Sequence, residues 1–520
     1  MFEKYFNNRF FLLFIFPFLI GFLTTLSFEP FNFTAINLII FPSLFYLIVY
    51  VNKKSKYIYR KKPYKKNFFL IGLMFGFGIY LSGISWISNS LTFDQNFKIL
   101  IPFALILLPL FLSLFNATII LIIGTYLKPN FSSFFLFSAS LSFIDYLRSK
   151  ILTGFPWNLW AYSTSWANEI LQIVNLIGLH SYNLLVITFF TMPIVFFFQI
   201  SSVKKILVFL ATFATLLTLF IYGNFEINKN IKFLNQSNEK IYVKVISPNF
   251  ELRYGLTLKE IEGRFKKLIR YSDPDKNKKT LFVWPEGVFS GYNFEEVKMF
   301  KNLINKSFSK NHLIIFGVNK LDLVKGNYFN TMLAVNNKLE IIDDYNKIKL
   351  VPFGEFLPFE KFLNKFGFKK ITEGYGSYSK GYENENIIIG KANILPLICY
   401  EIIFTDFIQK SDSNTNLIIN ISEDGWFGKT IGPDQHFAKA IFRSIENNTF
   451  VLRSANKGIS AIIDNKGNII KQLDRFEAGS IEFEVPLINS NKNKNDLIFF
   501  IVLITYLLIF LYNKKKNEKK

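Results

Sequence analysis

The sequence is poor in the residues that build covalent cross-links and metal centres. Its 520 residues include a single cysteine, Cys399, and only three histidines, His180, His312 and His436. One cysteine excludes an internal disulfide framework and the cysteine-rich zinc and iron–sulfur sites. The histidines are too widely separated to form a metal-binding motif. We therefore expect neither a metal nor another cofactor.

Charged residues are absent from eight long stretches of the chain. About 20 apolar residues cross the hydrocarbon core of a bilayer, and a helix is the form that satisfies their backbone hydrogen bonds there. The sequence therefore predicts a polytopic α-helical membrane protein with eight transmembrane helices. The stretches are 10–27, 31–51, 67–93, 99–127, 129–144, 170–203, 206–225 and 497–513.

The positive charges alternate between the short loops that join these stretches. With both termini in the cytoplasm, the cytoplasmic loops and tails carry 18 Lys and Arg residues and the outer short loops carry three. Cytoplasmic loops of membrane proteins are enriched in Lys and Arg. This pattern accounts for much of the net charge of +22 without a nucleic-acid partner. It places the long polar stretch between residues 226 and 496 outside the cytoplasmic membrane.

The polar stretch changes to short apolar runs separated by polar turns, which is typical of strands. The runs alternate with helical patterns at 258–271 and 435–446, so we predict an inserted α/β domain with layered sheets. The resulting domains are 1–225, with seven transmembrane helices, 226–490, and 491–520, with the last helix and a basic tail. The linkers are predicted at 226–240 and 489–496. The predicted strands are 242–246, 280–284, 313–318, 394–399, 417–421, 450–453, 460–464 and 481–485, with a hairpin turn at 465–467.

Three side chains of complementary chemistry lie at or just beyond the ends of apolar runs. They are Glu286, Lys347 and Cys399. Such positions often line the cleft of an α/β sheet. Together, the three side chains would supply a base, an electrostatic stabiliser and a nucleophile. From the residues alone, a buried structural cysteine and a surface ion pair of little energetic value remain open as alternatives.

The segments around these side chains resemble the three catalytic motifs of the nitrilase, or carbon–nitrogen hydrolase, superfamily. With the eight predicted spans, the chain resembles bacterial apolipoprotein N-acyltransferases over nearly its whole length. The resemblance implies that the polar domain is a nitrilase-like αββα sandwich. The segments are 283–286 (VWPE), 345–355 (YNKIKLVPFGE), 398–401 (ICYE), 420–428 (NISEDGWFG), 432–436 (GPDQH) and 453–459 (RSANKGI).

The resemblance implies a role for each matching residue. Glu286 matches the general base of the family, Lys347 the catalytic lysine and Cys399 the nucleophile. The supporting residues are Glu355, Tyr400 and Glu401. The sequence departs from the family in the loop after the first domain strand, where Tyr254 stands in place of the usual tryptophan.

The implied reaction is ping-pong transfer of a fatty acyl chain from a phospholipid, through a thioester on Cys399, to the N-terminal amine of the diacylglyceryl-cysteine of an apolipoprotein. We expect a monomer with these two lipid substrates. Residues 351–368, rich in phenylalanine and lysine, are predicted to form a lid that dips into the lipid headgroups. An ordinary helix packed against the domain is the alternative for this segment.

Two other functions are compatible with parts of the sequence. A membrane-tethered amidase could use the same three side chains with water as the acceptor. A transporter with a sensing domain would place ionisable residues within its spans, which the uncharged stretches disfavour. Asp145 and Arg148, at the end of a span, are predicted to form an interfacial pair.

Overall fold

The computed structural model describes residues 8–58, 64–236, 239–322, 326–358, 365, 377–382, 385–409, 412, 414–490 and 496–518. The chain forms two compact units. One comprises Met1–Ser88, Lys98–Asn224 and Asn493–Lys520, and the other comprises Asn89–Phe97 and Phe225–Lys492. Every strand within the described residues lies in the second unit.

The first unit is built from apolar helices. Its longer helices are Phe16–Leu23, Asn37–Ile58, Tyr64–Gly83, Ile101–Ile123, Phe131–Lys150, Leu179–Thr191, Asp496–Glu518 and most of Ser202–Gln236. Among the described residues, six helices are long and apolar enough to cross a membrane. They are Thr34–Lys54, Tyr64–Gly83, Phe97–Ile123, Leu179–Phe197, Ser202–Lys232 and Asp496–Lys516.

The two other predicted spans are helical but fall short of this standard. Phe11–Ser27 is apolar and shorter than the six. Phe131–Lys150 has 20 residues, but its last turns carry Asp145, Arg148 and Lys150. The membrane character of the first unit is therefore clear, while the count of eight spans stays a prediction.

Asp145 and Arg148 form the predicted pair, and both side chains are buried within the protein; the interfacial position of the pair stays a prediction. They are 6% and 2% exposed, and Arg148 Nη2 lies 3.1 Å from Asp145 Oδ1. The amide of Asn183 donates to the other carboxylate oxygen of Asp145 at 3.1 Å. Arg148, from the same helix, and Asn183, from a later helix, stabilise the buried carboxylate of Asp145.

The second unit contains two six-stranded sheets. In chain order the strands are β1 (Lys240–Ser247), β2 (Thr280–Val283), β3 (His312–Asp322), β4 (Asn327–Asn336), β5 (Ile341–Asn346), β6 (Ile387–Ile389), β7 (Ala392–Ile398), β8 (Leu417–Glu423), β9 (Val451–Asn456), β10 (Ser460–Ile463), β11 (Ile469–Leu473) and β12 (Gly479–Pro486). The first sheet has the order β12-β1-β2-β3-β4-β5, and the second has β11-β10-β9-β8-β7-β6. Strands β1 to β3 are parallel, as are β7 to β9.

Helices cover the outer face of each sheet, which gives the αββα order of layers. Leu258–Ser272 packs on β1 and β12, and Gly432–Asn447 packs on β9 and β10, while β1 contacts β9 and β10 across the middle. Leu258–Ser272 begins with a capping box between Thr257 and Glu260. Its buried residues recur at helical spacing, so that one apolar face meets the sheet.

The sequence predicted most central strands and missed β4 and the edge strands β6 and β11. Each of the eight apolar runs overlaps a strand with at most one residue outside it, and the turn at 465–467 joins β10 to β11. Strand β4 was missed because the buried polar residues Asn330 and Thr331 interrupt its apolar run.

The predicted linker at 226–240 is also wrong over most of its length. The helix Ser202–Gln236 continues to Gln236. Within the second unit, Asn230 and Asn465 exchange hydrogen bonds at 2.8 Å, and Lys466 Nζ lies 3.1 Å from Glu226. These contacts hold the polar end of the helix, which its composition alone does not indicate.

Replacing Arg148 by methionine should destabilise the helical unit. The substitution leaves the Asp145 carboxylate buried without its cation, which typically costs about 3–5 kcal/mol. Lys150→Met is the matched control, because Lys150 and its partner Asp496 are partly exposed and 3.4 Å apart, and such pairs contribute up to about 1 kcal/mol. The measurement is the midpoint of thermal unfolding in detergent. Equal midpoints for the two variants would contradict the buried pair.

Candidate active site

Lys347 lies at the centre of the cluster that the sequence predicted. It directly follows β5, and its side chain is 1% exposed. Its Nζ is 2.9 Å from Glu355 Oε1 and 3.7 Å from Glu286 Oε1. Burial opposes the positive charge, but the two carboxylates outweigh it and raise the pKa of Lys347 above its ordinary value. The side chain is therefore a permanent ammonium at neutral pH.

Glu286, three residues beyond β2, is held by two donors that the sequence analysis missed. Asn330 Nδ2 donates to Glu286 Oε1 and to Glu355 Oε1, both at 2.8 Å. The backbone N–H of Glu423 donates to Glu286 Oε2 at 3.0 Å. Both oxygens of Glu286 are thus fixed in direction, and the carboxylate is oriented before any substrate binds.

Cys399 occupies a sharp turn directly after β7. Its φ of 50° lies in the left-handed region, which a non-glycine residue rarely adopts. Burial raises the pKa of the thiol, nearby Glu286 raises it further and Lys347 lowers it, with a net upward shift. The resting sulfur is therefore a thiol. A base is needed to convert it into the nucleophilic thiolate.

Glu401 joins the turn that carries Cys399 to the loop that carries Lys347. Its Oε1 accepts hydrogen bonds from the Tyr345 hydroxyl at 2.8 Å and from the N–H groups of Ile348 and Lys349 at 2.8 and 2.9 Å. Its Oε2 accepts from the N–H of Ile398 at 2.9 Å. Burial, partly offset by Lys347, raises the pKa of this fully buried carboxyl to about 7. Glu401 is therefore a positioning residue.

A buried polar network supports the other side of the Cys399 turn. His436 Nε2 is 3.2 Å from the carbonyl oxygen of Cys399, and Asp424 lies 2.7 Å from Arg453 Nη2. Burial and Arg453 lower the pKa of His436 to about 4, so the ring is neutral. His436 Nδ1 lies 3.0 Å from Asp424 Oδ1 and 3.1 Å from Arg453 Nη2.

A cavity of about 110 Å³ opens beside the carboxylates. It is lined by Glu286, Glu355, Glu423, Asn330, Tyr254 and Trp426, among others. The rings of Tyr254 and Phe93 lie 6.3 and 5.2 Å from that of Trp426. The cavity thus has an acidic side and an aromatic side. In the part of the chain that the structure describes, no group of three or more His, Cys, Asp or Glu is arranged to hold a metal ion.

Comparisons with known proteins agree with this arrangement. The family model of the apolipoprotein N-acyltransferase N-terminal domain matches residues 20–192, and that of carbon-nitrogen hydrolase matches residues 254–490. Apolipoprotein N-acyltransferase of Rickettsia typhi (strain ATCC VR-144 / Wilmington) is 32% identical over 95% of this chain and 98% of its own. The chain belongs to the apolipoprotein N-acyltransferase family.

Other relatives of this family show similar coverage. Apolipoprotein N-acyltransferase of Rhodopseudomonas palustris (strain ATCC BAA-98 / CGA009) is 28% identical over 90% of this chain and 88% of its own.

The crystal structure of carbon-nitrogen hydrolase from Helicobacter pylori G27 aligns with 52% of this chain and 94% of its own at 16% identity. Its TM-score of 0.37 is too low to add to the family assignment.

The structure brings together most of the residues predicted from the resemblance to N-acyltransferases. Glu286, Lys347 and Glu355 are in direct contact, and Cys399 lies within electrostatic range of the first two. Tyr400 packs its ring at 5.0 Å on Phe404. The catalytic role of each residue stays a prediction. Polar residues within or at the end of buried strands were the available signal for the missed ones, Asn330 and Glu423.

Replacing Glu401 by glutamine should slow acyl transfer. The amide nitrogen cannot accept a hydrogen bond, so at least one of the backbone N–H groups now bound to the carboxylate loses its acceptor and one of the two loops shifts. A displacement of about 1 Å near the chemistry can cost about 10²-fold in rate. Glu262→Gln, at an exposed ion pair with Lys266, is the control and should keep full activity. A Glu401→Gln enzyme as active as the control would show that this bridge is dispensable.

Proposed function

We propose that this chain N-acylates apolipoproteins. It transfers a fatty acyl chain from a membrane phospholipid to the N-terminal amine of the diacylglyceryl-cysteine, through a thioester on Cys399. The proposal rests on one observation: the Cys399 thiol, the buried Lys347 ammonium and oriented carboxylates lie close together in a member of this family. The apolar helices support a membrane-embedded enzyme with lipid substrates.

In the first half-reaction, Glu286 removes the proton of Cys399 as the sulfur attacks the ester carbonyl of the phospholipid. The raised thiol pKa makes this general base necessary. The Lys347 ammonium stabilises the oxyanion of the tetrahedral intermediate. The C–O bond then breaks, Glu286 returns the proton to the departing lysophospholipid oxygen, and the acyl group remains on sulfur.

In the second half-reaction, the uncharged amine attacks the thioester carbonyl and Lys347 again stabilises the oxyanion. Glu286 accepts a proton from the nitrogen, the C–S bond breaks, and the proton returns to Cys399. The separation into two steps around one covalent intermediate is the ping-pong scheme. A carbon–nitrogen hydrolase acting as an amidase would instead pass the acyl group to water.

We place the catalytic domain, residues 226–490, on the periplasmic side of the cytoplasmic membrane, with 1–225 and 491–520 as the membrane domain. The excess of cations in alternate loops supports this orientation. We assign residues 351–368 to a lid. Phe353 is 48% exposed, as a lipid-facing residue requires. Residues 359–364 and 366–368 of this segment lie outside the described residues.

Cys399→Ala should abolish acyl transfer because it removes the nucleophile. Wild-type protein incubated with phospholipid alone should gain the mass of one acyl chain at Cys399, and the variant should gain none. Addition of a diacylglyceryl-modified peptide should then move this mass to the peptide amine. Full transfer by the alanine variant would falsify the thioester mechanism, and transfer of the acyl chain only to water would favour the amidase.

Lys347→Met should reduce the rate of thioester formation by roughly 10²–10³-fold, the usual loss when one oxyanion donor is removed. Lys349→Met serves as the control, because the Lys349 ammonium lies 4.9 Å over the ring of Phe404 and its side chain has no part in the proposed chemistry. The readout is the rate of acyl adduct formation at Cys399. Equal rates for the two variants would exclude Lys347 as the oxyanion donor.

A further inference from the structure

Glu423 is a buried carboxyl group at the candidate active site that the scheme above leaves without a role. It ends β8, which lies beside β7 in the parallel part of the second sheet, so it is next to the strand that leads to Cys399. It is 3% exposed, and it lines the same cavity as Glu286 and Glu355.

The carboxyl of Glu423 is held rigidly and retains accepting capacity. Gly425 N–H donates to its Oε1 at 2.9 Å, and Asn456 Nδ2 donates to its Oε2 at 2.7 Å. A carboxylate has about four acceptor positions, so two remain. Gly287, with φ of 73°, makes room for it, because a Cβ there would lie 2.8 Å from Glu423 Oε2.

In the second half-reaction the acceptor nitrogen loses two protons, and Glu286 carries one of them. The α-amine of the acceptor has an ordinary pKa of about 7.7–8.0, so much of it arrives as an ammonium at neutral pH. That nitrogen must lose one proton before it attacks and another as the amide forms. Glu286 can return only one of these to the Cys399 thiolate. The other proton passes to water unless a group at the site accepts it.

We propose that Glu423 is this second acceptor: it binds the incoming ammonium beside Glu286 and removes the first proton. This inference rests on the proposed function. Glu423 carboxylate takes one proton from the ammonium, which leaves a neutral amine. The amine attacks the thioester carbon, Glu286 carries the second proton to the Cys399 sulfur, and the C–S bond breaks. Glu423 then releases its proton to water, which balances charge and atoms.

The electrostatic surroundings of Glu423 suit this transfer. Burial is the largest influence, and with Glu286 and Asp424 it outweighs the hydrogen bonds from Asn456 and Gly425, so that the pKa rises to about 8. At pH 7 Glu423 in the free enzyme is then mostly protonated. The positive charge of the incoming ammonium favours the carboxylate form, so Glu423 releases a proton to water as the ammonium binds and then accepts one from the nitrogen. The other charged groups near the Glu423 segment are Arg264, which interacts with it electrostatically, and Lys457, which pairs with Glu251.

The test separates the two half-reactions in the full-length enzyme with Glu423→Gln. The acyl adduct at Cys399 is formed first, and its formation shows that the variant is folded. Transfer from this adduct to a diacylglyceryl peptide at pH 7 should be slower by about 10²-fold or more, the usual contribution of general acid–base catalysis. The deficit should shrink toward pH 10, where the amine is already neutral. Hydroxylamine, which is uncharged at pH 7, should discharge both adducts equally.

Three results would overturn the proposal: unchanged peptide transfer by Glu423→Gln at pH 7, an equal deficit with hydroxylamine, or a deficit that persists at pH 10. If Glu423→Gln forms no adduct, Glu423→Asn repeats the test with a shorter amide. Loss of the adduct in both variants assigns Glu423 to structure or to the first half-reaction and also overturns it. Failure of the proposed function is a different result, since the wild type would then form no adduct or pass no acyl group to the peptide.

Discussion

The site depends on one buried ammonium held between two carboxylates. Without Lys347, Glu286 and Glu355 would be two like charges sharing the donor Asn330 in a region with little water. With it, Glu355 pairs closely with the cation at 2.9 Å, and Glu286 lies farther from it at 3.7 Å. A buried pair of this kind is costly to desolvate and persists where its geometry is fixed by further hydrogen bonds.

The backbone around the nucleophile is secured from two directions. Glu401 ties the Cys399 turn to the loop that carries Lys347. His436, kept neutral and oriented by Arg453, contacts the Cys399 carbonyl. Together they account for the unusual backbone of Cys399, because a residue in the left-handed region persists only where its surroundings determine its conformation. In the proposed reaction the sulfur needs no lowered pKa, since Glu286 removes its proton at the moment of attack.

The sequence predicted the features that depend on local pattern and missed those that depend on tertiary partners. Apolar runs indicated the central strands, and the resemblance of the segments around Glu286, Lys347 and Cys399 to the nitrilase motifs indicated the site. Asn330 and Glu423 were missed because a polar residue in a strand takes its meaning from what lies across the sheet. The prediction of a linker at 226–240 was wrong for the same reason. Contacts of Glu226 and Asn230 hold this end of the helix, and composition does not show them.

The amount of lysophospholipid released in the absence of any acceptor tests the central claim most directly. If a thioester on Cys399 holds the acyl chain, one equivalent per enzyme should be released in a rapid burst, and release should then stop until a diacylglyceryl peptide is added. Continuous release without the peptide, or release only after the peptide is present, would contradict the account.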